Sequence, residues 1–197
     1  KRAIIESLVK RINLLERPSV ANISNIFVIC SVEEPKLNLS QVNKFLIFAE
    51  QMGVEVSLVL TKCDLITEQK RLFLIDKFQK WGYQAITLNL YNTENFKKFL
   101  TALKKKKCSI FTGPSGAGKT TLLNRIIPGL DNATAPVSSK IKRGKNITRN
   151  VELFSLSSDS YIVDSPGFNI HKLEIDIREL PNLYPEIYQQ VVDQGVN

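Results

Sequence analysis

The stretch CSIFTGPSGAGKTTLLNRII, residues 108–127, joins a short apolar run, a glycine-rich loop and a helix-like segment. The loop Gly113–Thr120 fits the pattern Gly-x4-Gly-Lys-Ser/Thr, whose glycines let successive backbone N–H groups turn towards phosphate oxygens. The helix that follows adds the positive end of its dipole. The stretch therefore predicts a strand, a phosphate-binding loop and a helix, the start of a P-loop NTPase fold.

Two side chains of this loop carry most of its expected chemistry. The Lys119 ammonium would neutralise charge on the β- and γ-phosphates and is the predicted catalytic residue. The Thr120 hydroxyl would be a ligand of Mg²⁺. The predicted nucleotide-binding residues of this segment are Gly113, Pro114, Ser115, Gly116, Ala117, Gly118, Lys119, Thr120 and Thr121.

A second phosphate-side motif lies in YIVDSPG, residues 161–167. Asp164 comes at the end of a predicted strand, where a carboxylate beside a phosphate loop is placed to hold Mg²⁺. The Gly167 N–H can meet the γ-phosphate, which would make the segment sensitive to the nucleotide. Asp164 is therefore a predicted metal ligand and Gly167 a predicted nucleotide-binding residue.

A third motif, SLVLTKCDLI at residues 57–66, places Thr-Lys-Cys-Asp after a predicted buried strand. The Asp64 carboxylate can accept both N1–H and N2–H₂ of guanine in a bidentate pair, and it would repel the lone pair of adenine N1. The Lys62 stem would pack over the base. Thr61, Lys62 and Asp64 are therefore the predicted base-reading residues, and they favour GTP and GDP over adenine nucleotides.

Strand-like and helix-like segments alternate around these motifs. Apolar runs predict strands at residues 25–31, 56–61, 83–90 and 108–112, with two more between 151 and 164 joined by a polar turn. Amphipathic segments between them predict helices, one capped at Ser40 and the next burying Leu72, Ile75 and Phe78. This alternation is typical of an α/β fold, a mostly parallel sheet with helices on both faces.

The order of the three motifs is unusual for a GTPase, because the base reader precedes the phosphate loop. Ligands of an open parallel sheet bind at the carboxyl ends of its strands, and all three motifs directly follow strands. They can therefore converge on one nucleotide in any chain order, since permutation is tolerated where domain termini lie close together. We predict a circularly permuted motif order.

Composition limits the remaining functions. The chain has 197 residues, 43% of them hydrophobic, which suits one α/β domain. Its formal charge of +8 favours polyanionic partners such as nucleic acid, although a solvated basic surface also explains it. No apolar run approaches the roughly 20 residues that span a bilayer. Three dispersed cysteines and one histidine predict neither disulfides nor a zinc site.

The motif order, together with RPSVANI (17–23), GPSGAGKTTLLN (113–124), RGKNITRNVELF (143–154) and DSPGF (164–168), resembles the circularly permuted RsgA-type GTPases that act on the small ribosomal subunit. The resemblance implies GTP hydrolysis stimulated by that subunit, contact with its rRNA and a role in its late maturation. It also implies an OB-fold before this domain and a zinc domain after it, with no zinc in this chain. We expect a cytoplasmic monomer without membrane contact, or one in an organelle stroma or matrix.

Three positions depart from the family pattern. The family's switch segment corresponds to residues 144–148 here, and Thr148 is the residue of it that keeps the expected role of γ-phosphate sensor and Mg²⁺ ligand. Thr61 replaces the commoner Asn, so we expect a bridging amide to be lost and guanine affinity to fall. Phe168 stands where many GTPases carry a water-orienting Gln, so a partner would set the hydrolysis rate.

Two other functions remain open from the sequence. One is a P-loop ATPase or nucleotide kinase, which Asp64 and the lack of an evident acceptor-phosphate site argue against. The other is a nucleotide-gated rRNA-binding switch with negligible turnover, which Phe168 keeps open. The predicted organisation is a linker at 1–24, the GTPase domain at 25–170 and a C-terminal helical extension at 171–197.

Overall fold

The computed structural model describes residues 6–7, 10–15, 19–128, 130, 151–164 and 175–193, and within them six strands form one sheet. A two-stranded antiparallel hairpin comes first in the chain, β1 (Leu14–Leu15) and β2 (Val20–Ala21). The sheet strands are β3 (Asn25–Ser31), β4 (Glu55–Thr61), β5 (Ile86–Leu88), β6 (Cys108–Thr112), β7 (Glu152–Ser157) and β8 (Ser160–Asp164). Their order is β5-β4-β3-β6-β8-β7, and every pairing is parallel except that of β7 with β8.

The helices alternate with the strands as predicted. They are α1 (Leu39–Gln51), α2 (Glu68–Lys80), α3 (Thr93–Lys104), α4 (Lys119–Ile126) and α5 (Pro185–Asp193). Single 3-10 turns lie at Cys63–Leu65 and Leu180–Leu183. The cap predicted at Ser40 is wrong, because the Asn38 side chain accepts the Gln41 N–H at 3.0 Å and starts α1 earlier.

Helices cover both faces of the sheet, which confirms the predicted fold class. Buried side chains of α1 and α2 pack with one face of β3, and those of α3 and α4 pack with the other. On the second face the ring of Phe27 meets Phe99 and Phe111 edge-on, with centroids 5.7 Å apart in both pairs. Alternate residues of β3 thus build two separate cores.

The buried stripe of α2 differs from the predicted one. Leu74 and Phe78, one turn apart, are buried, whereas Leu72 is 53% exposed and Phe73 is 63% exposed. Both stripes satisfy helical spacing, and the apolar cluster of β3, β4 and α1 that Leu74 and Phe78 join selects between them. The prediction was wrong for Leu72 for that reason.

The strand order creates a topological switch point. The chain moves outward from β3 to β4 and β5, and then crosses to β6 and β8 on the other side of β3. In open α/β sheets the crevice at such a point, outside the carboxyl ends of the strands, is where ligands bind. The phosphate loop follows β6 at this crevice, which places the predicted nucleotide site there.

The last described segment packs back on the domain. The Tyr184 hydroxyl accepts a hydrogen bond from the Asn43 amide of α1 at 3.2 Å, and Pro185 packs against Gly82 in the turn after α2. The segment 131–150, predicted as a loop, lies outside the described residues, as do residues 165–174. The predicted domain boundaries stay a prediction. None of the described helices is long and apolar enough to span a membrane.

We expect Phe27→Ala to lower the free energy of unfolding by about 3–5 kcal/mol, because it removes the ring between Phe99 and Phe111 and leaves a cavity. The matched control is Phe73→Ala, at an exposed position of α2, which should change it by less than about 0.5 kcal/mol. Urea unfolding measures both variants. Equal effects would contradict the assignment of Phe27 to the core.

Candidate functional site

The phosphate loop crosses closely over β3. Gly113 has a φ of 136°, and a Cβ at this position would collide with the carbonyl oxygen of Ile29. Gly116 has a φ of 76°, and a Cβ there would lie 2.9 Å from Cδ of Pro35. Glycine is therefore required at both positions, both for the backbone conformation and for space.

The Lys119 ammonium lies over the loop that contains it. Its Nζ donates hydrogen bonds to the carbonyl oxygens of Gly113 and Pro114, both at 2.7 Å. Burial lowers the pKa of Lys119, because removal from water disfavours the charged form. The ammonium thus lies at the loop that was predicted to bind the phosphates. An anion bound at this loop would stabilise the charged form of Lys119.

The first turn of α4 begins directly after the loop. Gly118 caps the helix in the left-handed conformation, and in the part of the chain that the structure describes no side chain serves as its cap. The side chains of Thr120 and Thr121 are exposed here, as is Ser115 in the loop, while Ala117 is buried. Free N–H groups at a helix start favour phosphate oxygens.

Thr61 ties the base-reading motif to the phosphate loop. Its buried hydroxyl lies 2.8 Å from the carbonyl oxygen of Ala117 and 3.3 Å from that of Cys30, and its single proton favours the nearer acceptor. The expected loss of a bridging amide, with its lower guanine affinity, stays a prediction. The Thr61 hydroxyl nevertheless connects the end of β4 to the phosphate loop.

Lys62 and Asp64 turn out of the sheet immediately after Thr61. Lys62 has a φ of 57°, and its ammonium donates to the carbonyl oxygen of Glu34 in the loop after β3. Asp64 is exposed in the turn Cys63–Leu65. The base-reading loop therefore contacts the loop after β3, whose Pro35 in turn approaches Gly116.

The sequence analysis overlooked that loop, residues 32–37. The Ser31 hydroxyl donates to the carbonyl oxygen of Pro35 at 2.9 Å and holds the loop against the end of β3. A cleft of about 520 Å³ continues from it between α1 and the phosphate loop, lined by Asn38, Ser40, Gln41, Lys44, Phe45, Pro114 and Ser115. A proline four residues after the end of a buried strand was the available signal.

Asp164 ends β8 at the same edge of the sheet. Burial raises the pKa of its carboxyl group, and the Glu152 carboxylate opposite it on β7 raises that pKa further. A cation would relieve both effects. The Asp164 carboxylate and the Thr120 hydroxyl are oxygen donors of the kind that Mg²⁺ prefers, so the chemistry of these two side chains fits the ion. Thr148, Gly167 and Phe168 lie outside the described residues.

The model of the RsgA GTPase family matches residues 8–174. The chain belongs to this family. It is 40% identical over 189 residues to the small ribosomal subunit biogenesis GTPase RsgA of a strain of Prochlorococcus marinus, covering 96% of this chain and 61% of that protein. It is 38% identical over 190 residues to the protein of the same name from a strain of Synechococcus, covering 96% of this chain and 62% of that protein.

Two solved structures share the fold. YjeQ from Thermotoga maritima has a TM-score of 0.73 and 25% identity, over 96% of this chain and 71% of that one. YloQ, described as a circularly permuted GTPase, has a TM-score of 0.70 and 25% identity, over 94% of this chain and 59% of that one. The RsgA resemblance and the permuted fold are confirmed. The chain spans about 61% of the length of its first curated relative.

We expect Thr61→Val to lower the free energy of unfolding by about 1–3 kcal/mol, because the buried Ala117 carbonyl loses its donor. GDP affinity should fall as well, since the phosphate loop is no longer tied to β4. Urea unfolding and isothermal titration with GDP measure the two effects.

Thr112→Val is the matched control for this variant. The Thr112 hydroxyl is also buried, but it has no hydrogen-bond partner among the described residues, so its removal should be neutral or stabilising. Equal losses in the two variants would mean that the Thr61 bridge contributes nothing.

Proposed function

We propose that the protein binds GTP and hydrolyses it to GDP and phosphate, and that the small ribosomal subunit stimulates the reaction during the subunit's late maturation. The 2.8 Å bond from the Thr61 hydroxyl to the Ala117 carbonyl is the observation that carries the first part. It brings a guanine-type base motif and a phosphate-type loop to one edge of one sheet. An ATPase or kinase has no need of an aspartate in the position of Asp64.

Different residues of the chain would bind the base, the phosphates and the metal ion. Asp64 accepts the two guanine N–H groups, and the Lys62 stem covers the base. Gly113–Thr121 surrounds the phosphates with backbone N–H groups, Lys119 and the start of α4. Thr120, Thr148 and Asp164 would hold Mg²⁺, which when bound neutralises phosphate charge and supports displacement at the γ-phosphate.

Hydrolysis also needs a water molecule held in line with the γ-phosphate. Phe168 has no polar group with which to orient water. We propose that the intrinsic rate is slow and that the ribosomal partner completes the catalytic site, as GTPases stimulated in trans do. This dependence would couple turnover to the presence of a correctly assembled subunit.

The partner proposal rests on charge and on the relatives. The formal charge of +8 suits contact with rRNA phosphates, and the relatives are named for small-subunit biogenesis. Lys106 of the lysine run 104–107 forms an ion pair with Glu55. One charge of this run is therefore already paired within the domain. We therefore favour residues 140–149 as the contact with rRNA, and a location in the compartment that assembles small subunits.

The test is phosphate release from GTP and from ATP, with and without purified small subunits. We expect slow release from GTP alone, faster release with subunits, and none from ATP. Lys119→Ala should abolish the reaction and weaken GDP binding, because phosphate charge loses its cation. Lys97→Ala, on the exposed face of α3, should leave intrinsic turnover unchanged. Turnover that survives in Lys119→Ala would exclude this loop as the catalytic one, and binding of GTP without turnover under any condition would favour the rRNA-binding switch.

Base selection has its own test. Asp64→Asn should weaken GTP binding at least about tenfold, because a charged bidentate pair is lost, and it should favour xanthosine triphosphate, whose C2 carbonyl can accept from the new amide. Asp76→Asn is the control, since it changes a carboxylate of α2 that pairs with Lys80 at the surface. Unchanged GTP affinity in Asp64→Asn would rule out Asp64 as the base reader.

A further inference from the structure

A third loop, residues 89–92 after β5, lies beside the base reader. Strands β4 and β5 are parallel with Thr61 opposite Leu88, so the residues that follow each strand emerge side by side. The two loops are therefore neighbours at the carboxyl edge of the sheet. The sequence analysis gave this loop no role in binding.

Side-chain amides hold this loop in one shape. The Asn89 side chain accepts the Tyr91 N–H at 2.8 Å, and the Asn89 N–H donates to the Asn95 side chain at 2.7 Å. The Asn95 amide donates in turn to the Thr87 carbonyl at 3.1 Å. Because three such bonds already order the loop, its backbone loses little conformational entropy when its side chains contact a ligand.

The Tyr91 side chain of this loop is exposed to solvent. It is 89% exposed, more than any other large hydrophobic side chain in the part of the chain that the structure describes. The backbone of Tyr91 is fixed, whereas its ring is presented to solvent one loop away from Asp64. An aromatic ring in that position is suited to a flat partner.

We propose that Tyr91 stacks on the guanine base, on the face opposite the Lys62 stem. The inference rests on the proposed function and adds a binding residue to it. Stacking uses the π-face of the base, whereas Asp64 reads its edge, so Tyr91 contributes affinity without selecting among purines. Lys62 and Tyr91 come from neighbouring loops of the sheet, and the base would lie between them.

Titration of the full-length protein with GDP and with inosine diphosphate tests this role. Tyr91→Ala should weaken both nucleotides by the same factor, about tenfold, because a ring on the base is lost while the edge contacts stay. Tyr91→Phe should keep wild-type affinity, and kcat at saturating GTP should not change. Tyr188→Ala, at a half-exposed tyrosine of α5, is the matched control and should leave both affinities unchanged.

A fluorescence measurement gives an independent readout. Tyr91→Trp adds a second indole to a chain whose own Trp81 lies at the end of α2, so wild-type emission serves as the reference. GDP should quench the added emission and leave that of Trp81 unchanged. The stacking role alone would be overturned if the wild type binds GDP, Tyr91→Ala binds it equally well, and GDP does not quench the emission of Tyr91→Trp. Failure of the wild type to bind any guanine nucleotide would overturn the proposed function and this role together.

Discussion

The pairing of β3 with both of its neighbours is the constraint on which the site depends. All seven residues of β3 are buried, and they pair in parallel with seven residues of β4 and four of β6. This register puts Thr61 level with the end of β3 and presses Gly113 against the Ile29 carbonyl. A slip of one residue would turn every side chain to the opposite face and separate Thr61 from Ala117.

Burial shifts the pKa values of two charged groups at the candidate site in opposite directions. Burial lowers the pKa of Lys119 on one side of the crevice and raises that of Asp164 on the other. A polyphosphate would stabilise the ammonium, and a divalent cation would stabilise the carboxylate. The two ligands therefore complement the site together better than either does alone, because each offsets the desolvation of one charged group.

Sequence reasoning succeeded where the determinants are local. The strands at 25–31 and 108–112 and the loop between β6 and α4 follow from short apolar runs and glycine spacing. It failed where distant parts of the chain decide the outcome. The buried side of α2 depends on the cluster that it joins with β3, β4 and α1, and the bridge from Thr61 to Ala117 joins residues 56 positions apart. No window of local sequence contains both partners of such a contact, so only the folded sheet reveals them.

The permuted order places β8 after the other strands of the described sheet, so the tail follows Asp164 in the chain rather than the base-reading motif. That tail rests on α1 and on Gly82 in the turn after α2. The contact therefore fastens the end of the described chain to the two helices that flank β4 and the base-reading loop in the sequence.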